Sequence, residues 1–92
     1  MLLFASFSTS TCGPCKIIEP GFAKLSDMYS DYHFYKVVGD KNDATQSLCI
    51  SQGVKQVPAF YFFRKGERRN VLAGAKLSTM DLIDAIEELR WE

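Results

Sequence analysis

The spacing of apolar positions changes several times along this chain, and each change marks an element. Leu2-Leu3-Phe4-Ala5-Ser6-Phe7 is a short, nearly unbroken apolar run, the pattern of a buried strand. After Cys15 the period lengthens. Ile18, Phe22, Leu25 and Met28/Tyr29 recur at helical spacing and predict an amphipathic helix to about Ser30. Pro20 falls inside that pattern beside Gly21 and is expected to kink it. Tyr32 to Gly39, rich in aromatic and β-branched residues, predicts a second strand. From Asp43 to about Gln52 a short helix is expected, with Asn42 or Asp43 as N-cap and Gly53 as a left-handed stop. Pro58 to Phe63 reads as a third strand. Lys65-Gly66 then turns tightly into a fourth, Arg69 to Ala73, so these two form an antiparallel hairpin. The last helix opens at Ser78, with Asp81 completing a capping box and Leu77 stapling to Leu82. Leu82, Ile83, Ile86 and Leu89 form its apolar face. The order β-α-β-α-β-β-α predicts an α/β fold: one domain over residues 1–92, a mixed four-stranded sheet with helices on both faces.

Bulk composition narrows the function classes. With 11 basic and 11 acidic residues the formal net charge is zero, so no long-range field draws in nucleic acid or an anionic membrane. The apolar runs fall far short of the ~20 residues of a membrane span. Met1-Leu2-Leu3-Phe4 lacks the basic flank and the apolar length of a secretory signal. Three cysteines are too few, and odd in number, for a secreted disulfide scaffold. They point to a reducing compartment in which one pair works and the third stays free. The cytoplasm is the expectation, or a plastid or mitochondrial interior if a transit peptide has been removed.

The working pair is Cys12 and Cys15, in Thr11-Cys12-Gly13-Pro14-Cys15-Lys16. Closing a disulfide requires Cα atoms roughly 4.4–6.8 Å apart, which the first turn of a helix provides. Pro14 suits that first turn, where its missing N–H costs nothing. Cys12 is then expected where the first strand hands over to a helix, at the positive end of the helix dipole, which favours the attacking thiolate. A structural zinc half-site is the bland rival. No second Cys-x-x-Cys or His pair supports it, since Cys49 and His33 are single and distant. Val57-Pro58 places a proline at the head of the third strand, a position open to a cis bond. Cys49, between Leu48 and Ile50, reads as a small hydrophobe rather than a regulatory thiol. His33 is expected at a surface or strand edge. Arg64, Lys65, Arg68 and Arg69 are expected to form a solvated hairpin tip. Tyr29, Tyr32, Phe34 and Tyr35 read as core and rim aromatics.

With Cys-Gly-Pro-Cys following the first strand, the chain resembles the thioredoxin family over essentially its whole length. The resemblance rests on Phe7-Ser8, Cys12 to Lys16, Pro20, Val57-Pro58, Phe63 to Glu67 and Gly74 on the fourth strand. It implies a protein-disulfide oxidoreductase that mainly reduces client proteins, works as a monomer, needs no bound cofactor or metal, and is recycled by a reductase of thioredoxin reductase type. Cys12 would be the nucleophile and Cys15 the resolving thiol. Thr11, Gly13, Pro14, Val57, Pro58 and Gly74 would shape the client surface, with Pro58 facing the cysteines and Val57 offering its backbone. Departures are visible too. The family usually has a strand and helix ahead of the cysteine-bearing strand. Its buried aspartate, thought to help deprotonate the second cysteine, falls on Ser6; Lys36 lies near the strand position that pairs with it. The tryptophan before the first cysteine is Thr11, and the stretch from Asp40 to Gly53 is a few residues longer. A glutathione-linked oxidoreductase of glutaredoxin type is one rival, opposed by Gly-Pro between the cysteines. A non-enzymatic docking module on the same fold is the other.

Overall fold

A computed structural model describes residues 2–92. Its elements are β1 (Leu2–Ser8), α1 (Gly13–Met28), β2 (His33–Val38), α2 (Asp43–Ser51), β3 (Ala59–Arg64), β4 (Glu67–Ala73) and α3 (Thr79–Arg90). The four strands lie in the order β2-β1-β3-β4. β2 pairs parallel to β1, and β1–β3 and β3–β4 are antiparallel. The α/β class, the mixed sheet and the element order all match the sequence expectation.

Position in the sheet explains the two kinds of strand. β1 and β3 are central, and their long apolar runs are buried almost throughout. β2 and β4 are edges and carry the exposed polar side chains, among them His33. Above one face, α1 and α3 bury Ile18, Phe22, Leu25, Leu82, Ala85, Ile86 and Leu89 against Leu2, Phe4, Phe60 and Phe62. Phe4 is the hub, with ring centroids 5.0 Å from Phe34 and 5.3 Å from Phe62. Below the other face a smaller cluster of Ala5, Phe7, Ala59 and Tyr61 packs against Cys49 of α2 and Val54 beyond it.

Local sequence accounts for the ends of the elements. Asn42 and Ser78 cap α2 and α3 in complete capping boxes, and Gly53 follows α2 at φ 71°. The Lys65-Gly66 turn has φ 52° and 78°, the paired left-handed geometry that closes a two-residue hairpin. That tight closure lets pairing begin at once, Arg64 opposite Glu67, so β4 starts two residues earlier than the expected Arg69. β3 begins at Ala59 rather than Pro58, because proline has no N–H to offer a ladder. Gly74, expected on the fourth strand, lies just past its end. Ile83 is only half-buried and Ala85 takes its place in the core, a rotation of the α3 face set by the 82-85-86-89 stripe. α1 runs on through Pro20, which is exposed, so the carbonyl left without its N–H partner can turn to water. At Gly21 a Cβ would collide with the Thr79 hydroxyl, so the Thr79 side chain of α3 rests directly on the α1 backbone there.

Candidate active site

The site forms where β1 ends and α1 begins. Thr9 to Cys12 make a turn closed by the Cys12 N–H donating to the Thr9 carbonyl at 3.3 Å. Cys12 is the N-cap of α1, in an extended conformation, and its sulfur accepts the Cys15 N–H at 3.1 Å. A sulfur therefore occupies the position usually given to a serine, threonine or aspartate oxygen. Pro14 stands in the first turn, and no acidic residue is present there to offset the positive helix end. Cys12 and Cys15 are joined in a disulfide, with Cα atoms 5.3 Å apart. Cys12 is half-buried and Cys15 is 1% exposed, so the two cysteines are unequal in access. Gly13 is exposed and nothing lies within 4 Å of where its Cβ would be, which leaves room for another chain beside the pair. Thr11 is exposed next to Cys12.

The other expected residues fall into two groups. Pro58 is buried, its bond to Val57 is cis, and its carbonyl accepts the Gly74 N–H at 3.0 Å. Phe7 pairs with Ala59 across β1 and β3, so Val57, Pro58 and Gly74 sit at the same end of the sheet as the cysteine turn. Ser6 and Lys36 belong to the second group, further back along the strands. They are register partners across β1 and β2. Ser6 is buried, while the exposed Lys36 reaches Glu19 of α1 with Nζ 3.2 Å from Oε2. All three line a groove of about 470 Å³ between α1 and the edge of the sheet. Cys49 stays apart from the disulfide. It is free and half-buried, and burial pushes its thiol above the usual range. It lines a groove of about 530 Å³ with Thr9, Ile50, Val54 and Val57, beside the redox turn. Another groove, about 760 Å³ between β4 and α3, contains neither redox cysteine.

One contact at the site involves residues that no sequence pattern singled out. Asp40, in the turn after β2, accepts both the backbone N–H of Ser10, at 2.9 Å, and its hydroxyl, at 2.5 Å. Those bonds hold the Asp40 carboxyl below its usual range. The signal that could have revealed it is the parallel pairing of β1 with β2, which brings their following turns side by side. Among the described residues, no three His, Cys, Asp or Glu side chains gather where a metal ion could be held. What the arrangement can do is cycle between disulfide and dithiol, one sulfur accessible at a helix start and the other shielded one turn inside.

The chain is similar to known proteins in sequence and in fold. The family model described as Thioredoxin matches residues 1–88. Thioredoxin AMT13 of Alternaria alternata is 42% identical over 87 residues, covering 94% of this chain and 68% of that protein. Human thioredoxin is 38% identical over 80 residues, 87% of this chain and 73% of its own length. Among solved structures, thioredoxin O2 from Arabidopsis thaliana in the oxidized state superposes with a TM-score of 0.85 at 28% identity, covering 97% of this chain and 75% of that one. Thioredoxin f2 in its complex with ferredoxin:thioredoxin reductase gives the same TM-score at 31% identity, over 97% of this chain and 77% of that one. A Cys-x-x-Cys pair at the start of the first helix, together with this identity over nearly the whole chain, places the protein in the thioredoxin family of thiol-disulfide oxidoreductases.

Proposed function

We propose that the protein reduces disulfides in client proteins, with Cys12 attacking and Cys15 resolving. The observation that carries the assignment is the inequality of the two cysteines: Cys12 is only half-buried and its sulfur receives a helix N–H, while Cys15 is 1% exposed. In the dithiol form, the N–H bond and the uncompensated helix end favour the Cys12 thiolate. It attacks one sulfur of a client disulfide. A Cys12–client bond forms, the client S–S bond breaks, and the second client sulfur leaves as a thiolate. Cys15 then loses its proton and attacks Cys12 Sγ, which releases the client's remaining thiolate. The client has gained two electrons and the Cys12–Cys15 disulfide has re-formed.

Supporting roles follow from placement. Gly13 leaves space for the client backbone, and Pro14 fixes the first turn. Thr11 offers a hydroxyl but no aromatic surface beside the nucleophile. Val57, at the rim of the groove next to the redox turn, provides an edge along which an extended client segment can lie, with Pro58 and Gly74 shaping its end. Lys36 acts further back, through its pair with Glu19. A reductase must return the oxidised protein to the dithiol. The likeness to a thioredoxin crystallised with such an enzyme supports a partner of that kind. The odd count of three cysteines supports a reducing compartment, the cytoplasm or an organelle interior.

Insulin reduction in the presence of dithiothreitol tests the reading. Turnover well above the uncatalysed rate is expected, and a rate equal to it would leave only a docking module. Recycling by NADPH with thioredoxin reductase, and not by glutathione with glutathione reductase, is the expected coupling.

A further inference from the structure

The turn that carries Cys12 has little to hold it in place. Ser10 and Thr11 are exposed, Thr9 is half-buried, and the single backbone bond across the turn, Cys12 N–H to Thr9, is long at 3.3 Å. Apolar packing does not fix these polar residues. In the oxidised form the Cys12–Cys15 disulfide ties the end of the turn to α1. Reduction removes that covalent cross-link just when Cys12 must be presented to a client. What then holds Cys12 is the Cys15 N–H bond to its sulfur, and the side of the turn is tethered by Asp40, which takes both donors of Ser10 in charge-assisted bonds. Asp40 is itself well seated. The Gly39 N–H continues the ladder to the Ser8 carbonyl at 2.8 Å, and the Lys41 N–H closes a turn onto Val38 at 3.1 Å. Two adjacent turns, one after each parallel strand, are thus linked by one carboxylate.

We propose that Asp40 is a positioning residue for the exchange reaction, bracing the Cys12 turn through Ser10 in the reduced protein. The inference rests on the reading of Cys12 as the attacking thiol. Displacing a reacting atom by about 1 Å can cost up to about 10²-fold in rate, and a turn that keeps its backbone bond should lose less. The brace acts on the attack of the Cys12 thiolate on a client disulfide. It matters less for attack of an external dithiol on the oxidised protein, where the disulfide still holds Cys12.

The test measures two rates, reduction of insulin disulfide by the fully reduced protein in single turnover, and reduction of the oxidised protein by dithiothreitol. Asp40→Ala should slow the first about tenfold and the second by less than about twofold. Asp40→Asn keeps the shape and one acceptor, and should restore part of the loss; it also serves if Asp40→Ala fails to fold. Because the Ser10 hydroxyl acts through Asp40, Ser10→Ala combined with Asp40→Ala should be no slower than Asp40→Ala alone. A folded Asp40→Ala protein that attacks at the native rate overturns the brace, and so does equal slowing in both directions. Cys12→Ser is run in parallel. If it still reduces insulin, the assignment of Cys12 falls, and the brace with it.

Discussion

Helices α1 and α3 lie on the same face of the sheet and share one core, each burying four residues: Cys15, Ile18, Phe22 and Leu25 from one, Leu82, Ala85, Ile86 and Leu89 from the other. Packing treats them alike, yet their first turns differ completely. α3 starts in a capping box. Ser78 Oγ accepts the Asp81 N–H, and the Asp81 carboxylate accepts the Ser78 N–H at 2.8 Å and sets a negative charge at the positive helix end. α2 opens in the same manner with Asn42, Thr45 and Asp43. α1 has a cysteine sulfur at the cap and no acid in its first turn. The difference separates a helix end closed for stability from one left open for chemistry. At α1 the unspent positive end is available to a thiolate that forms only when the disulfide opens.

The sharpest way to break the contrast is to remove the sulfur. Cys12→Ser gives α1 an ordinary cap and should bring insulin reduction down to the uncatalysed rate, whereas Cys15→Ser should trap clients as mixed disulfides that dithiothreitol releases, visible on a non-reducing gel. Next in size is the second thiol, which gains less from the helix end. Ser6 cannot serve as a base near neutral pH, so the mixed disulfide should accumulate there and resolve faster as pH rises. Ser6→Asp should speed resolution by roughly 10²-fold, the low end for proton-transfer help. A folded Ser6→Asp protein with an unchanged resolution rate would count against the base argument.

Giving α1 the acidic first turn of α3 is a smaller change. Gly13→Asp meets no neighbour and should raise the Cys12 pKa, cutting iodoacetamide labelling at neutral pH about three- to tenfold. Cys49 is the internal reference for that experiment. Burial raises its pKa from an ordinary 9.0, so its thiolate appears, and its labelling climbs, only at more alkaline pH. The sign follows for stability as well: what the neutral Cys49 contributes is complete below the unfolded pKa and fades as pH rises through the folded one. The smallest effect belongs to the closed end. Ser78→Ala should cost about 1 kcal/mol in urea unfolding and leave the exchange rate alone.

Most of the architecture was legible because its signals are local. The Ser78/Asp81 spacing, the Lys65-Gly66 turn and the 3.6-residue recurrence after Cys15 need only a few neighbours to have meaning, and the redox pair lies inside one such stretch. What stayed hidden depends on pairing between distant segments. The bond of Ser10 to Asp40 spans 30 positions, and the pair of Glu19 with Lys36 joins a helix to an edge strand. None of these residue types is unusual at its place; the parallel register of β1 and β2 brings Ser10 to Asp40, and the packing of α1 along the β2 edge brings Glu19 to Lys36. Ala85 gives almost no sequence signal because a small side chain weighs little in an apolar pattern, although it is buried in the core.

The contact of Gly21 with Thr79 bears on how separable the redox segment is. Residues 12–28 look like a cassette, a motif and its helix that could be moved onto another scaffold. Yet the helix rests against α3 at a point where a single methyl group would strike the Thr79 hydroxyl. A recipient would need the same notch and a facing helix with a side chain seated in it as Thr79 is; otherwise α1 would lift or rotate and carry Cys15 out of its shielded position. The unit that can be transplanted is therefore the pair of helices with the strands beneath them, nearly the entire chain.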